Sequence, residues 1–130
     1  MEALNMIVGT VKKIIIGGIT YAVPADVNLT VNLSSYVTEG MPTSGDTVFK
    51  KTKRVPTIEG ADIITSFKEA ASLKTVAESL ANTTLAVVFA DNTTYRSTGQ
   101  INFENFESET GRSKVTLIPS TSVDPWTVTP

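Results

Sequence analysis

The sequence predicts a mainly β protein: an antiparallel β-sandwich or small β-barrel with one α-helix flanking it. Three observations carry this. Short runs rich in Val, Ile, Thr and Phe recur along the chain and end at Gly, Pro or Asp-Asn turns. Only one stretch, 72–81, keeps apolar residues firmly at helical spacing. Twenty of the 130 residues are Thr, which is β-branched and polar and suits strands with one wet face. With only 18% charged residues and so much Thr, the outer faces are expected to be covered or confined rather than freely solvated. The length fits one domain.

The elements follow in order. Residues 1–9 show no period and are expected to form an extended arm. Thr10 to Gly17 reads as a strand, with Val11, Ile14, Ile15 and Ile16 as β-formers. Gly17-Gly18 marks a hairpin, since both residues can take positive φ. Ile19 to Val23 returns, and Pro24 stops the ladder because it has no donor. Asp26 to Leu33 shows the cleanest alternation: Val27, Leu29, Val31 and Leu33 against Asp26, Asn28, Thr30 and Asn32. Residues 34–54 read as a long loop, holding Gly40, Pro42, Gly45 and Asp46 and ending in Lys50-Lys51-Thr52-Lys53-Arg54. A loop of that length inside a small domain tends to be functional.

Val55–Ile58 and Asp62–Thr65 are two short strand candidates with Gly60 as a bend between them. Ser66 and Glu69 fit a capping box, Ser72 offers a second helix start, and Asn82 reads as the C-cap. Thr84–Ala90, Thr94–Ser97, Ile101–Glu107 and Ser113–Ile118 complete the strands, with Gly99 as an interruption and Pro119 as a stop. The domain thus spans 10–119, and 120–130 is an extended tail holding the only Trp, Trp126.

The composition excludes several function classes. The chain has no Cys and no His, so thiolate metal sites, cysteine nucleophiles and Ser-His-Asp triads are ruled out. A net charge of −2 lacks the basic excess of a dedicated nucleic-acid binder. No apolar run approaches a membrane span, and Met1–Met6 lacks the basic and apolar regions of a signal peptide. The protein is therefore expected to be made and kept in a cytoplasm, or in something assembled there. Neither a P-loop nor a dinucleotide-binding glycine pattern occurs.

Glu104, Glu107 and Glu109 lie close in sequence, but strand geometry sends 104 and 107 to opposite faces, which fits a solvated hairpin better than a cation site. The stripe Asp26, Asn28, Thr30 and Asn32 has two readings: an ordinary wet face, or the lining of something aqueous. The basic run 50–54 could touch phosphate, pair with carboxylates of a neighbouring subunit, or be solvated. Trp126 suits docking the tail onto a surface, its own chain's or a neighbour's. No catalytic, cofactor-binding or metal-binding set emerges, and the chain is expected not to be an enzyme.

In their order these residues resemble the tail tube proteins of long-tailed bacteriophages. The likeness begins with Gly9-Thr10-Val11 and runs through Ile16-Gly17-Gly18-Ile19-Thr20-Tyr21 to the alternating Asp26–Val31. It continues with the long loop holding Glu39-Gly40 and Gly45-Asp46, then Arg54-Val55-Pro56-Thr57-Ile58-Glu59-Gly60 and the helix around Leu73–Leu80. It ends with Asn82–Val87 and Thr110–Leu117. It covers roughly 9–119 and rests on the order of its parts, not on one specific motif. The tail from Ser120 has no counterpart.

The resemblance implies a homohexameric ring in which each subunit gives strands to a closed inner barrel. Rings stack into a hollow tube, in the virion, that conducts DNA into the host cell without binding it specifically. The long loop and the N-terminal arm would reach adjacent rings. Sheath, tape-measure, tail terminator and baseplate proteins are the implied partners, with no membrane and no cofactor. The fold is shared with the inner tube of type VI secretion systems, and the short chain points to a contractile tail. On this reading Asp26, Asn28, Thr30 and Asn32 line the lumen. Tyr36, Glu39, Met41, Phe49, Lys50, Lys51, Lys53, Arg54 and Trp126 would contact other subunits or rings. The alternatives are a tail completion or terminator protein, which caps the tube, and a monomeric β-sandwich module binding a glycan or peptide. The module would need an aromatic platform, and Tyr21, Tyr36, Tyr95 and Trp126 show no patterned spacing. A hydrolase using carboxylates and a metal is more distant still.

Overall fold

A computed structural model describes residues 11–121 and 124–130 of the chain. The arm expected at 1–9 lies outside the described residues. Ten strands and one helix follow in the order β1 Val11–Ile16, β2 Ile19–Ala22, β3 Thr30–Val31, β4 Tyr36–Pro42, β5 Thr47–Lys53, β6 Ile58–Ile64, α1 Phe67–Glu78, β7 Thr83–Phe89, β8 Thr94–Glu107, β9 Arg112–Pro119 and β10 Thr127–Thr129. The protein is mainly β, its sheets are antiparallel, and it has one helix among the described residues, as the sequence predicts.

The first hairpin forms as its glycines require. Gly17 and Gly18 take φ of 61° and 84°, which lets a two-residue turn join Ile16 to Ile19 with the twist of the strands. β1 then pairs β7, β7 pairs β8, β8 pairs β9, β9 pairs β6, and β6 pairs β2. With β1–β2 the pairings form a closed circuit of six strands. Its thinnest join is β2–β6, where only Ala22 and Ile64 are partnered. β3 sits on the outer part of β6, and β10 on the start of β8.

Alternate side chains of these strands fill one core. Ile14 and Ile16 of β1, Ile58, Ala61 and Ile63 of β6, Leu85 and Val87 of β7, and Val115 and Leu117 of β9 are all buried there. Each large aliphatic side chain so buried contributes about 1.5–3 kcal/mol of transfer free energy. The helix adds Leu73, with no exposed surface, and Ala70. One polar pair enters this interior: the hydroxyls of Thr65 and Ser113 hydrogen-bond at 2.7 Å, which satisfies both.

Five expectations are corrected. Asp26–Leu33 keeps its alternation of exposure, Val27 being buried and Asp26, Asn28 and Thr30 exposed, but only Thr30–Val31 forms a ladder. Leu33 is 54% exposed, so the core does not claim it. Val55–Ile58 and Asp62–Thr65 become one strand, β6, because Gly60 at φ 78° absorbs a bulge between Ile58 and Ala61. The helix starts at the Ser66–Glu69 capping box, the first of the two starts the sequence offers. Ser66 Oγ accepts from the Glu69 N–H at 3.1 Å, and the Glu69 carboxylate accepts from the Ser66 N–H at 2.9 Å. It ends at Ser79 rather than Asn82.

Gly99 does not interrupt a strand; β8 runs through it from Thr94 to Glu107. Its lack of a side chain allows β9 to approach closely: a Cβ there would collide with the Ile118 carbonyl oxygen and lie 2.7 Å from Pro119 Cα. The last correction is the long loop at 34–54, most of which is a second, two-stranded sheet.

Candidate assembly surface

Among the described residues, strands β4 and β5 form a two-stranded sheet of their own, joined to no other strand. Tyr36-Val37-Thr38 and Thr47-Val48-Phe49 are strong β-formers. The turn between them is closed by Thr43: its N–H and its hydroxyl both donate to the Asp46 carbonyl, at 2.8 and 2.7 Å, and its hydroxyl accepts from the Asp46 N–H at 3.1 Å. Pro42 tolerates its place because it is the last residue of β4, beside the turn. At the base, the Arg54 N–H donates to the Ser35 carbonyl at 2.9 Å and Arg54 Nε donates to the Ser34 carbonyl at 2.8 Å.

Every residue of both strands is exposed. The register sorts them into two faces. Val37, Met41 and Val48 share one face with Glu39 and Lys50, which stand opposite each other. Tyr36, Phe49, Lys51 and Lys53 share the other. The basic run at 50–54 is therefore divided: its charges do not make one patch, and Arg54 is occupied at the base. Phe49 is 67% exposed, and Val37, Met41 and Val48 are each nearly half exposed. A two-stranded hairpin is marginal in water on its own, and clustered exposed apolar side chains mark contact surfaces.

Eight of the nine residues expected at contacts between subunits, Tyr36, Glu39, Met41, Phe49, Lys50, Lys51, Lys53 and Arg54, thus lie on this hairpin or at its foot. Trp126 does not join them. Its ring packs against the core, and its Nε1–H donates to the Pro56 carbonyl at 2.8 Å, so the indole ties the tail to its own chain. Thr127–Thr129 then extends the sheet as β10 on β8.

The polar stripe is only partly drawn together. Asp26, Asn28 and Thr30 face outward from the segment that covers the β6 edge. Asn32 is half-buried, its Nδ2 donating to the Thr57 carbonyl at 3.2 Å and to Glu59 Oε2 at 3.2 Å. The Asp26 carboxylate accepts from Arg112 Nη2 at 3.1 Å, and Asp62 lies 3.8 Å from the same guanidinium. This pairing of β9 with the stripe is not readable from the sequence, since 86 residues separate the two partners.

Chemistry elsewhere is sparse. Among the described residues, no group of three Asp or Glu is placed to hold a metal ion. Glu104, Glu107 and Glu109 are exposed. Among the described residues, two groups have shifted acidity. The Thr93 N–H beside Asp91 in the β7–β8 turn holds that carboxyl below its ordinary value. Burial, with Glu69 nearby, pushes the Tyr21 phenol up. A groove of about 610 Å³ opens under the C-terminal tail, lined by Ile15, Ala86, Arg96, Thr98 and Thr127 among others. No described helix is long and apolar enough to cross a membrane. The chain matches no protein-family model, and no curated protein is significantly similar to it.

Proposed function

We propose that the chain is a self-assembling structural subunit of the tail-tube type, in which hexameric rings stack into a hollow tube that conducts phage DNA. The observation that carries this reading is the free-standing hairpin 36–53, exposed on both faces. Such an arm gains a core only by lying on another molecule, and a subunit that repeats needs a projection and a receiving surface on different parts of itself. Two further features support it. The outward side chains at 26, 28 and 30 are polar and carry no positive charge, and the neighbouring Arg112 is offset by two carboxylates. A tube lining of that kind lets a phosphate backbone slide, whereas free lysines would hold it. Sheath, tape-measure, terminator and baseplate proteins are the partners this role requires, and the virion is the place it assigns.

Negative-stain electron microscopy across a concentration series, with and without preformed tube fragments as seeds, tests the reading. Six-fold rings or hollow tubes are the expected result. A particle that stays monomeric throughout overturns it and favours a binding module, for which the groove under the C-terminal tail becomes the first place to look.

A further inference from the structure

We propose that the hairpin of one copy seats on a second copy in the groove between α1 and the open edge of β8. This rests on the self-assembly reading and names the receiving surface. β9 pairs one edge of β8 from Gly99 to Glu107, whereas β7 occupies the other edge only as far as Gly99. From Ile101 to Phe106 that second edge has no strand partner among the described residues. Beside it lies a groove of about 570 Å³, lined by Ala70, Ala71, Ala77 and the Lys74–Glu78 ion pair of the helix and by Ile101, Asn102, Phe103 and Phe106 of the strand. The three alanines leave width for an extended segment beside the exposed Lys74–Glu78 pair, and the free edge offers it backbone donors and acceptors. Phe67, 72% exposed, meets Phe106 edge-on at 5.6 Å and leaves an apolar shelf at one end of the groove.

The occupant is identified by what the chain itself carries. Among the described residues the hairpin's outer edges have no strand partner and its apolar side chains are exposed, and β5 bears Lys50, Lys51 and Lys53 with no acidic residue. β8 bears the opposite charge: Glu104 is the extra residue of a bulge between Phe103 and Asn105, Glu107 ends the strand, and Glu109 follows in the turn. None of the three is in an ion pair among the described residues. An acidic, bulged edge repels a second acidic strand and accepts a basic one. Projection and receiver occupy different parts of the same molecule, so the contact can repeat without closing on itself.

The absence of Cys makes the test clean. Phe49→Cys protein is mixed with Phe67→Cys protein and treated with a short bismaleimide. The expected heterodimer is at least tenfold stronger than that from Phe49→Cys mixed with Thr20→Cys, which reports from the exposed face of β2. In parallel, Lys51→Glu/Lys53→Glu and Glu104→Lys/Glu107→Lys each weaken association at least tenfold, and mixing the two restores it. All four charged positions are exposed, so circular dichroism should show both variants folded. Two results overturn the groove while leaving self-assembly intact: tubes of unchanged strength in both charge variants, or loss of tubes with no rescue on mixing. A wild-type chain that neither cross-links nor assembles overturns both proposals together.

Discussion

Replacing Gly99 with Ala should open the tightest join in the circuit of strands. An ideal Cβ at this position would fall inside contact distance of the Ile118 carbonyl oxygen, 2.7 Å from Pro119 Cα and 2.9 Å from Pro119 C. All three neighbours are backbone, so no side chain can rotate out of the way. Ordinary carbon–oxygen contacts begin near ~3.3 Å, and β8 and β9 must therefore part by roughly an ångström. The bonds nearest the clash are strained first, among them the Ser120 N–H to the Thr98 carbonyl at 2.8 Å. Overpacking of this kind costs about 1–3 kcal/mol, and a weakened backbone bond adds about 1 kcal/mol. A total near ~3 kcal/mol follows, with the melting temperature lower by roughly 10 °C for a domain of this size. Urea unfolding followed by circular dichroism measures it, as a lower midpoint at unchanged slope. Gly45→Ala in the hairpin turn, where a Cβ meets nothing within 4 Å, is the control and should shift stability by less than ~0.5 kcal/mol. If Gly99→Ala matches that control, the close approach of the two strands is not what selects glycine here.

Three more outcomes are expected. Ser113→Ala leaves the buried Thr65 hydroxyl without its 2.7 Å partner and should destabilise by about 1–3 kcal/mol in a denaturant titration, whereas the double change with Thr65→Val should recover part of that loss. Trp126→Phe keeps a ring but loses the bond to the Pro56 carbonyl; a loss of about 1 kcal/mol, with earlier proteolytic release of the C-terminal tail, is expected. The Tyr21 phenol is held above its ordinary value of 10.0, so the folded state keeps its proton after the unfolded chain has released it. Its contribution is complete below pH 10 and is lost as pH rises through the folded value; Tyr21→Phe should flatten the alkaline arm of the stability profile.

Most strands of the circuit, though not their long-range pairings, are legible in the sequence, and for physical reasons. Ile14 and Ile16 alternate and end at Gly17-Gly18 because one face of β1 is buried and its turn needs two positive φ values. Ser66 and Glu69 announce the helix because their reciprocal bonds are local. The hairpin 36–53 is the opposite case. Neither of its faces is buried in the chain, so no apolar alternation marks it, and Gly40 and Pro42 supply loop signals within it. Gly60 and Gly99 read as breaks because the sequence names a glycine without saying whether it serves a turn, a bulge or the approach of a distant strand. At the candidate surface the residue types were readable, but their division between two faces was not, since it depends on the register of β4 with β5. The open edge of β8 was equally hidden, because it exists only where β7 stops short.

The closing join of the strand circuit has a kinetic consequence. β2 is fastened along β1, across a tight turn, but is stitched to β6 at Ala22 and Ile64 alone. A structure opens where the fewest bonds must break together. β2 should therefore swing out like a hinged stave, well before the rest of the domain unfolds, and briefly wet the ring of Tyr21. Native-state hydrogen exchange would show this as fast exchange on the β6-facing side of β2, while the amides joining β8 to β9 exchange only through global unfolding.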